Sequence, residues 1–382
     1  MTTLDVAVIG AGIHGASAAY HLANRGVKVA VFDRGMPAGG PTGRSSAVCR
    51  AYYTNEFLAC AARHSIRMMA NFRELTGADS GYRRTGALFL HPPEESQQVE
   101  EAVAQLNDLG ITTELLEPSE ITRLFPHFDL AGIGLGAWEA DAGYADPAGT
   151  TLGLFNRAVE LGAEPRLGRA VTGIEPQGSG AVLMTSDGTR ITANRVLIAA
   201  GPWTGPLALQ AGVRLPLTVE RHIVGSFRWA GAEPMPLHAD IPGGYYFKPE
   251  GQELFLVGPL HAAAQADPDD YFEHIGEGEI AELSRAVVRR VPQLSRAEVH
   301  GGWASLYDVS PDWMPVIGEI APGVFLDAGT SGHGFKLAPA LGAHVAAMVM
   351  GEQVPGLEQF HPRRFDEAQT LSAGYGDARI LG

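Results

Sequence analysis

The run Leu4-Asp5-Val6-Ala7-Val8-Ile9-Gly10-Ala11-Gly12-Ile13-His14-Gly15 decides how the chain folds. Mostly apolar residues lead without a break into a glycine turn. Good helix formers then fill positions 16–25, Gly26 closes them at a C-cap position, and a second apolar run, 27–32, ends in Asp33. Strand, glycine turn, helix and strand in this order predict the first βαβ unit of a dinucleotide-binding fold. Gly10 permits the tight turn, Gly12 lets the backbone approach a pyrophosphate, and Gly15 lets the helix pack closely on the strand. The bare N–H groups and positive end of that helix then face the phosphates. Asp33 follows Gly10 by 23 positions (33 − 10), near the ~20 expected of an acid that takes a ribose hydroxyl. An acid there suits an unphosphorylated ribose, so FAD or NAD fits better than NADP.

A chain of 382 residues has room for two domains or one nested pair, and 45% apolar residues can bury a sizeable core. The formal net charge of −15 argues against nucleic acid or an anionic membrane surface as partner. The N-terminus enters a strand almost at once, without the basic and apolar regions of a secretory signal. The most apolar helix candidate, 337–350, is too short to span a bilayer. Two cysteines, Cys49 and Cys60, point to a reducing compartment. The expectation is a cytoplasmic protein with no membrane span.

Beyond Asp33, a loop dense in Gly and Pro (35–43) leads into Arg44-Ser45-Ser46, which reads as another helix N-terminus offering hydroxyls and amides to phosphate or ring oxygens. Helical patterns follow at 56–75, 94–109, 150–161 and 278–291. Strands are expected at 84–90, 132–138, 169–175, 180–185, 189–193, 217–227, 244–248, 253–258 and 301–307, with a hairpin turn at Ser186-Asp187-Gly188. An apolar strand also runs into Ala200-Gly201-Pro202-Trp203. Near the C-terminus, strand 324–328 enters Gly329-Thr330-Ser331-Gly332-His333-Gly334-Phe335-Lys336 and then helix 337–350. Two strand, glycine loop and helix units flanking a β-rich middle imply a nested architecture. The histidines without another assignment show no paired metal-ligand spacing, so no metal is expected.

Four segments together resemble the D-amino-acid oxidase/sarcosine oxidase superfamily of FAD-dependent amine oxidoreductases. They are 10–33; Gly43-Arg44-Ser45-Ser46 with Arg50; 196–203; and 311–318 (Pro-Asp-Trp-Met-Pro-Val-Ile-Gly) with 329–336. The resemblance implies an α/β fold: a Rossmann-like FAD-binding domain of glutathione-reductase type (1–85, 145–216 and 300–382) nested with an α+β substrate domain built on an antiparallel sheet (86–144 and 217–299). It places FAD against Gly10, Gly12, Ile13, His14, Gly15, Asp33 and Arg34, then Arg44, Ser45 and Ser46, then Val171, Ala200, Gly201 and Trp203. The isoalloxazine would reach Gly329, Gly332, His333, Gly334, Phe335 and Lys336, where backbone amides at a helix N-terminus would favour the negative charge of reduced flavin. A second glycine loop of this kind suits a flavin ring better than a nicotinamide.

The family places a substrate carboxylate between an early Arg and the Lys after the glycine loop, and Arg50 and Lys336 occupy those places. Guanidinium and ammonium together suit an amino-acid carboxylate. Tyr246, Tyr307 and His261 fall near aromatic and His positions of the family pocket. Where sarcosine oxidases hold flavin through a Cys, this chain has Ser305, so FAD is expected to be non-covalent. Those enzymes also use a Lys on the middle sheet for oxygen activation; the matching stretch here, Phe255-Leu256-Val257-Gly258, has none, and Lys248 lies earlier. The implied activity is oxidation of the C–N bond of an amino acid or N-alkyl amino acid, with hydride passing to flavin N5 and leaving an imine that water hydrolyses. The small-molecule amine would be one partner and oxygen or an electron carrier the other. Two further readings stay open: dehydrogenation of a 2-hydroxy acid or biosynthetic intermediate, and an electron-transferring FAD subunit of a larger complex.

Overall fold

The computed structural model describes residues 3–229, 231, 235–367 and 369–371. Residues 1–2, 368 and 372–382 of the expected FAD-binding unit, and 230 and 232–234 of the expected substrate unit, lie outside the described residues.

Strand Leu4–Ile9 lies at the centre of a mixed eight-stranded sheet, parallel to Val29–Asp33 on one side and to Arg190–Ile198 on the other. Glu164–Leu167 extends it in parallel beyond Val29–Asp33, and Val324–Ala328 joins in parallel beside Arg190–Ile198. The strands Val171–Gln177, Gly180–Thr185 and Arg190–Ile198 form an antiparallel meander. Its hairpin turns where expected: Gly188 takes φ 80°, and the Asp187 carboxylate accepts the Thr189 N–H. Parallel strands buried on both faces read as continuous apolar runs, which is why 4–9 and 195–200 carried a strong signal.

The second sheet also has eight strands, with Glu298–Val309 at one edge, followed by Thr218–Arg228, Leu254–Pro259, Tyr245–Glu250 and Leu237–Asp240. Ala87–His91, Leu135–Glu139 and Thr113–Leu116 complete it. It is antiparallel except where Leu237–Asp240 runs parallel to Ala87–His91, a pairing of distant segments that alternation alone cannot announce. Helix Glu277–Arg290 covers one face through Leu283 and Val287. A buried ion pair from Arg290 to Asp240 fixes that helix to the sheet.

The expected helix at 56–75 is interrupted. Glu56–Ala70 ends at Asn71, whose side chain donates to the Arg67 carbonyl, and a short helix Phe72–Thr76 follows. Asn competes for backbone partners in this way, so it favours a break over a continued helix.

The two glycine units meet because the helices that follow them pack together. A Cβ on Gly342 would run into Ser17, so helix Gly334–Val349 lies close against Ile13–Asn24. Ser17 and His21 both bond the Pro339 carbonyl, at 3.1 and 2.9 Å. Ser65 of the helix Glu56–Ala70 donates to the Leu337 carbonyl and accepts the Ala340 N–H. This arrangement sets the C-terminal glycine loop beside the first one. No helix among the described residues is long and apolar enough to cross a membrane.

Candidate active site

The first glycine turn owes its shape to close contacts. Gly10 takes φ 111°, and a side chain there would strike the Ala199 carbonyl. One on Gly15 would strike the Gly10 carbonyl, so helix and strand touch only because both are glycine. Gly12 meets only Thr42 and is otherwise open to the cavity that begins here.

That cavity, about 730 Å³, runs between the two sheets. Every cofactor residue expected in the first unit lines it except Gly15, whose role is the helix contact. Arg44, Ser45 and Ser46 line it too, as do Val171, Ala200, Gly201 and Trp203. From the C-terminal loop, Gly332, Gly334 and Phe335 reach the wall, whereas Gly329, His333 and Lys336 stand behind it. The Asp33 carboxylate faces this space while accepting the N–H groups of Ala11 and Gly35, both at 2.7 Å.

His14 joins the two loops. Its Nδ1 lies 2.8 Å from Asp327 and its Nε2 lies 3.1 Å from the Gly334 carbonyl. A carbonyl only accepts, and a carboxylate accepts, so this geometry calls for the doubly protonated imidazolium. Burial opposes that charge, but Asp327 and then Asp308 outweigh it and hold the His14 pKa above its ordinary value.

The walls fit FAD on physical grounds. His222 Nδ1, Ser305 Oγ and Asp327 Oδ1 are buried without a hydrogen-bond partner among the described residues, and all three residues line the cavity. An unpaired buried polar atom costs ~1–3 kcal/mol. Such walls suit a long ligand with hydrogen-bonding groups spread along it, and FAD carries these on its ribose, ribityl chain and ring. When bound, the adenylate would lie by Gly12 and Asp33, and the ring by Gly332, Gly334 and Tyr307.

At the ring end, Tyr307 packs its edge on Gly332 and stacks on His222, with ring centroids 3.9 Å apart. Burial raises its pKa well above the ordinary value. Tyr246 accepts a hydrogen bond from Ser46 at 3.0 Å, and burial pushes its hydroxyl up to about 12. Both stay neutral phenols at physiological pH.

Behind this wall lies a cationic centre. Arg50 is buried, donates to the Tyr52 carbonyl and lies 4.3 Å above the Tyr53 ring. Lys336, on the first turn of its helix, is buried as well. Its pKa falls well below the ordinary lysine value, first from burial and then from the Arg50 charge. No carboxylate among the described residues forms an ion pair with it. Lys248 is buried nearby, paired with Glu250 and lying 4.3 Å over the Tyr144 ring. It pairs in register with Leu256, so the ladder places it directly beside the middle-sheet stretch that lacks a lysine. Cys49 feels both lysines, yet burial still pushes its thiol up to about 12, so it is an inert filler.

His261 is apart from this group: it is exposed, packs against Gly244 and does not line the cavity. Sequence reasoning assigned nothing to His222, Asp308, Asp327 or Glu139. His222 comes into place through the pairing of Thr218–Arg228 with Glu298–Val309, which sets it opposite Ser305. No short-range signal marks that register. Among the described residues, no group of three or more His, Cys, Asp or Glu is arranged to hold a metal ion.

Comparison with known proteins gives the family. The family model described as FAD dependent oxidoreductase matches residues 5–348. Sarcosine oxidase subunit beta of Rhodobacter capsulatus is 25% identical over 96% of this chain and 90% of its own length. Glycine oxidase of Bacillus licheniformis is 29% identical over 92% of this chain and 94% of its own. Other curated relatives are longer proteins, of which the chain spans 42–46%. The crystal structure of L-proline dehydrogenase from P. horikoshii superposes with a TM-score of 0.88 at 25% identity, covering 97% of this chain and 99% of that one.

Proposed function

The chain belongs to the family of FAD dependent oxidoreductases, and on that premise we propose that it oxidises the C–N bond of an amino acid or N-alkyl amino acid. FAD, when bound, supplies the hydride acceptor. The observation that carries the substrate class is the pair Arg50 and Lys336: two buried cations near enough for one to depress the pKa of the other. The buried Glu139 carboxylate already acts on Arg50, whereas burial and Arg50 together disfavour the charge on Lys336, so an anion reaching Lys336 offsets that cost. A substrate carboxylate between them restores the ammonium form of Lys336 and fixes the α-carbon relative to the ring.

Tyr246 and Tyr307 then act as neutral walls that exclude water, and Arg50 and Lys336 supply orientation. This reading needs no side chain as base: the amine enters unprotonated. The relatives named above as sarcosine oxidase, glycine oxidase and L-proline dehydrogenase support a small amino acid or N-substituted amino acid. Oxygen or an electron carrier takes the electrons onward.

Titration of the holoenzyme with acetate, a carboxylate that cannot be oxidised, tests the clamp. It should perturb the visible flavin spectrum, and Lys336→Met should weaken that binding about tenfold or more, as loss of a charge-assisted contact implies. Equal acetate affinity in both proteins would remove Lys336 from the substrate site.

A further inference from the structure

The segment 260–276 connects strand Leu254–Pro259 of the second sheet to helix Glu277–Arg290, and on its way it crosses to the wall of the FAD cavity. Three of its side chains bond residues that line that cavity. The Asp269 carboxylate accepts Arg34 Nη1 at 2.6 Å and Trp203 Nε1 at 3.0 Å. The Tyr271 hydroxyl meets Arg44, and Glu273 pairs with the same guanidinium at 2.8 Å. Asp269 thereby holds the Arg34 guanidinium 3.9 Å above the Trp203 ring. This arrangement adjoins Asp33, the end of the cavity where the ribose is expected.

The C-terminal side of this segment is tied to the second sheet. Arg221 of the second sheet donates to the carbonyls of Phe272 and His274, and Ala304 donates to the Glu273 carbonyl. Asp267 accepts the Asp269 N–H and so shapes the turn that presents Asp269. The catches themselves are exposed: side-chain exposure is 52% and 63% for Arg34 and Asp269, and 34% and 54% for Arg44 and Glu273. Exposed ion pairs are individually weak and screened by salt. On the N-terminal side of the segment Ala266 donates to the Val219 carbonyl and Arg221 to the Ala264 carbonyl, so a short turn tied to the second sheet at both ends carries contacts that salt can weaken.

We propose that residues 267–275 form a clasp over the adenylate half of FAD, with Asp269 as the positioning residue that sets Arg34 over Trp203. The clasp governs how fast the cofactor leaves. It concerns FAD retention and is independent of which amine is oxidised.

The test follows release of FAD from the holoenzyme, read as recovery of flavin fluorescence after dilution into FAD-free buffer. Asp269→Ala should release FAD about tenfold faster, the consequence of losing ion pair and indole contact together. Asp269→Asn keeps an acceptor for the Trp203 N–H and should fall between the two. One molar salt should speed release from the parent protein and have little effect on Asp269→Ala. An unchanged thermal midpoint of the apoprotein separates this from misfolding; if that variant fails to fold, the salt dependence of the parent and the rate for Glu273→Gln decide. Release rates equal within twofold and insensitive to salt would overturn the clasp.

Discussion

Glu139 shows how a single buried side chain ties pH to the backbone beside Arg50. It accepts the N–H groups of Ala51 and Tyr52 and so shapes the backbone that follows Arg50. Burial raises its pKa, Ala51, Arg50 and Tyr52 pull it down, and it settles at about 7 against an ordinary 4.5. A raised folded-state value means that the folded protein holds a proton which the unfolded chain has released between those pH values. Stability from this group is therefore full below pH 4.5 and falls as pH rises towards 7, by at most ~1.4 kcal/mol per unit. Glu139→Gln should flatten that part of the melting-temperature profile, and a slope unchanged from the parent would rule this assignment out. Arg50 and Lys336 were legible in the sequence because each sits beside a motif. Glu139 and His222 were not, since their positions depend on partners 88 residues away, for Glu139 and Ala51, or on the register of two strands.

At the scale of elements, the glycine units were readable because their constraints are local. A short apolar strand, a turn that needs positive φ and a helix free of bulk at its first turn must occur in sequence. Gly15→Ala tests this directly. The added methyl meets the Gly10 carbonyl, so helix Ile13–Asn24 has to move away from strand Leu4–Ile9 and the phosphate-facing amides move with it. FAD affinity measured by fluorescence quenching should fall about a hundredfold or more, in line with displacement of a whole binding turn; affinity within a factor of three would show that the turn tolerates the shift. Helix continuity was harder to read than helix presence. The break at Asn71 rests on one side-chain bond to the Arg67 carbonyl, which competes with a helical pattern that otherwise continues. The parallel pairing of Leu237–Asp240 with Ala87–His91 joins strands about 150 residues apart, beyond the reach of turn chemistry.

For the whole molecule, the division of labour follows from how the two sheets share one cavity. In the proposed reading the opening unit would hold the adenylate end and the C-terminal loop the ring end; His14 links the two loops through Asp327 and Gly334. Strand Glu298–Val309 of the second sheet contributes Ser305, Tyr307 and Asp308 to the same walls. The central claim is that this assembly takes an amine bearing a carboxylate. It is tested most directly by anaerobic mixing of the holoenzyme with matched compounds: small amino acids, N-methyl amino acids, 2-hydroxy acids and the corresponding amines without a carboxylate. Bleaching of the visible flavin absorbance should occur with amino acids or N-methyl amino acids alone. Bleaching by 2-hydroxy acids, equal bleaching by amines that lack the carboxylate, or no bleaching by any amino acid would contradict it.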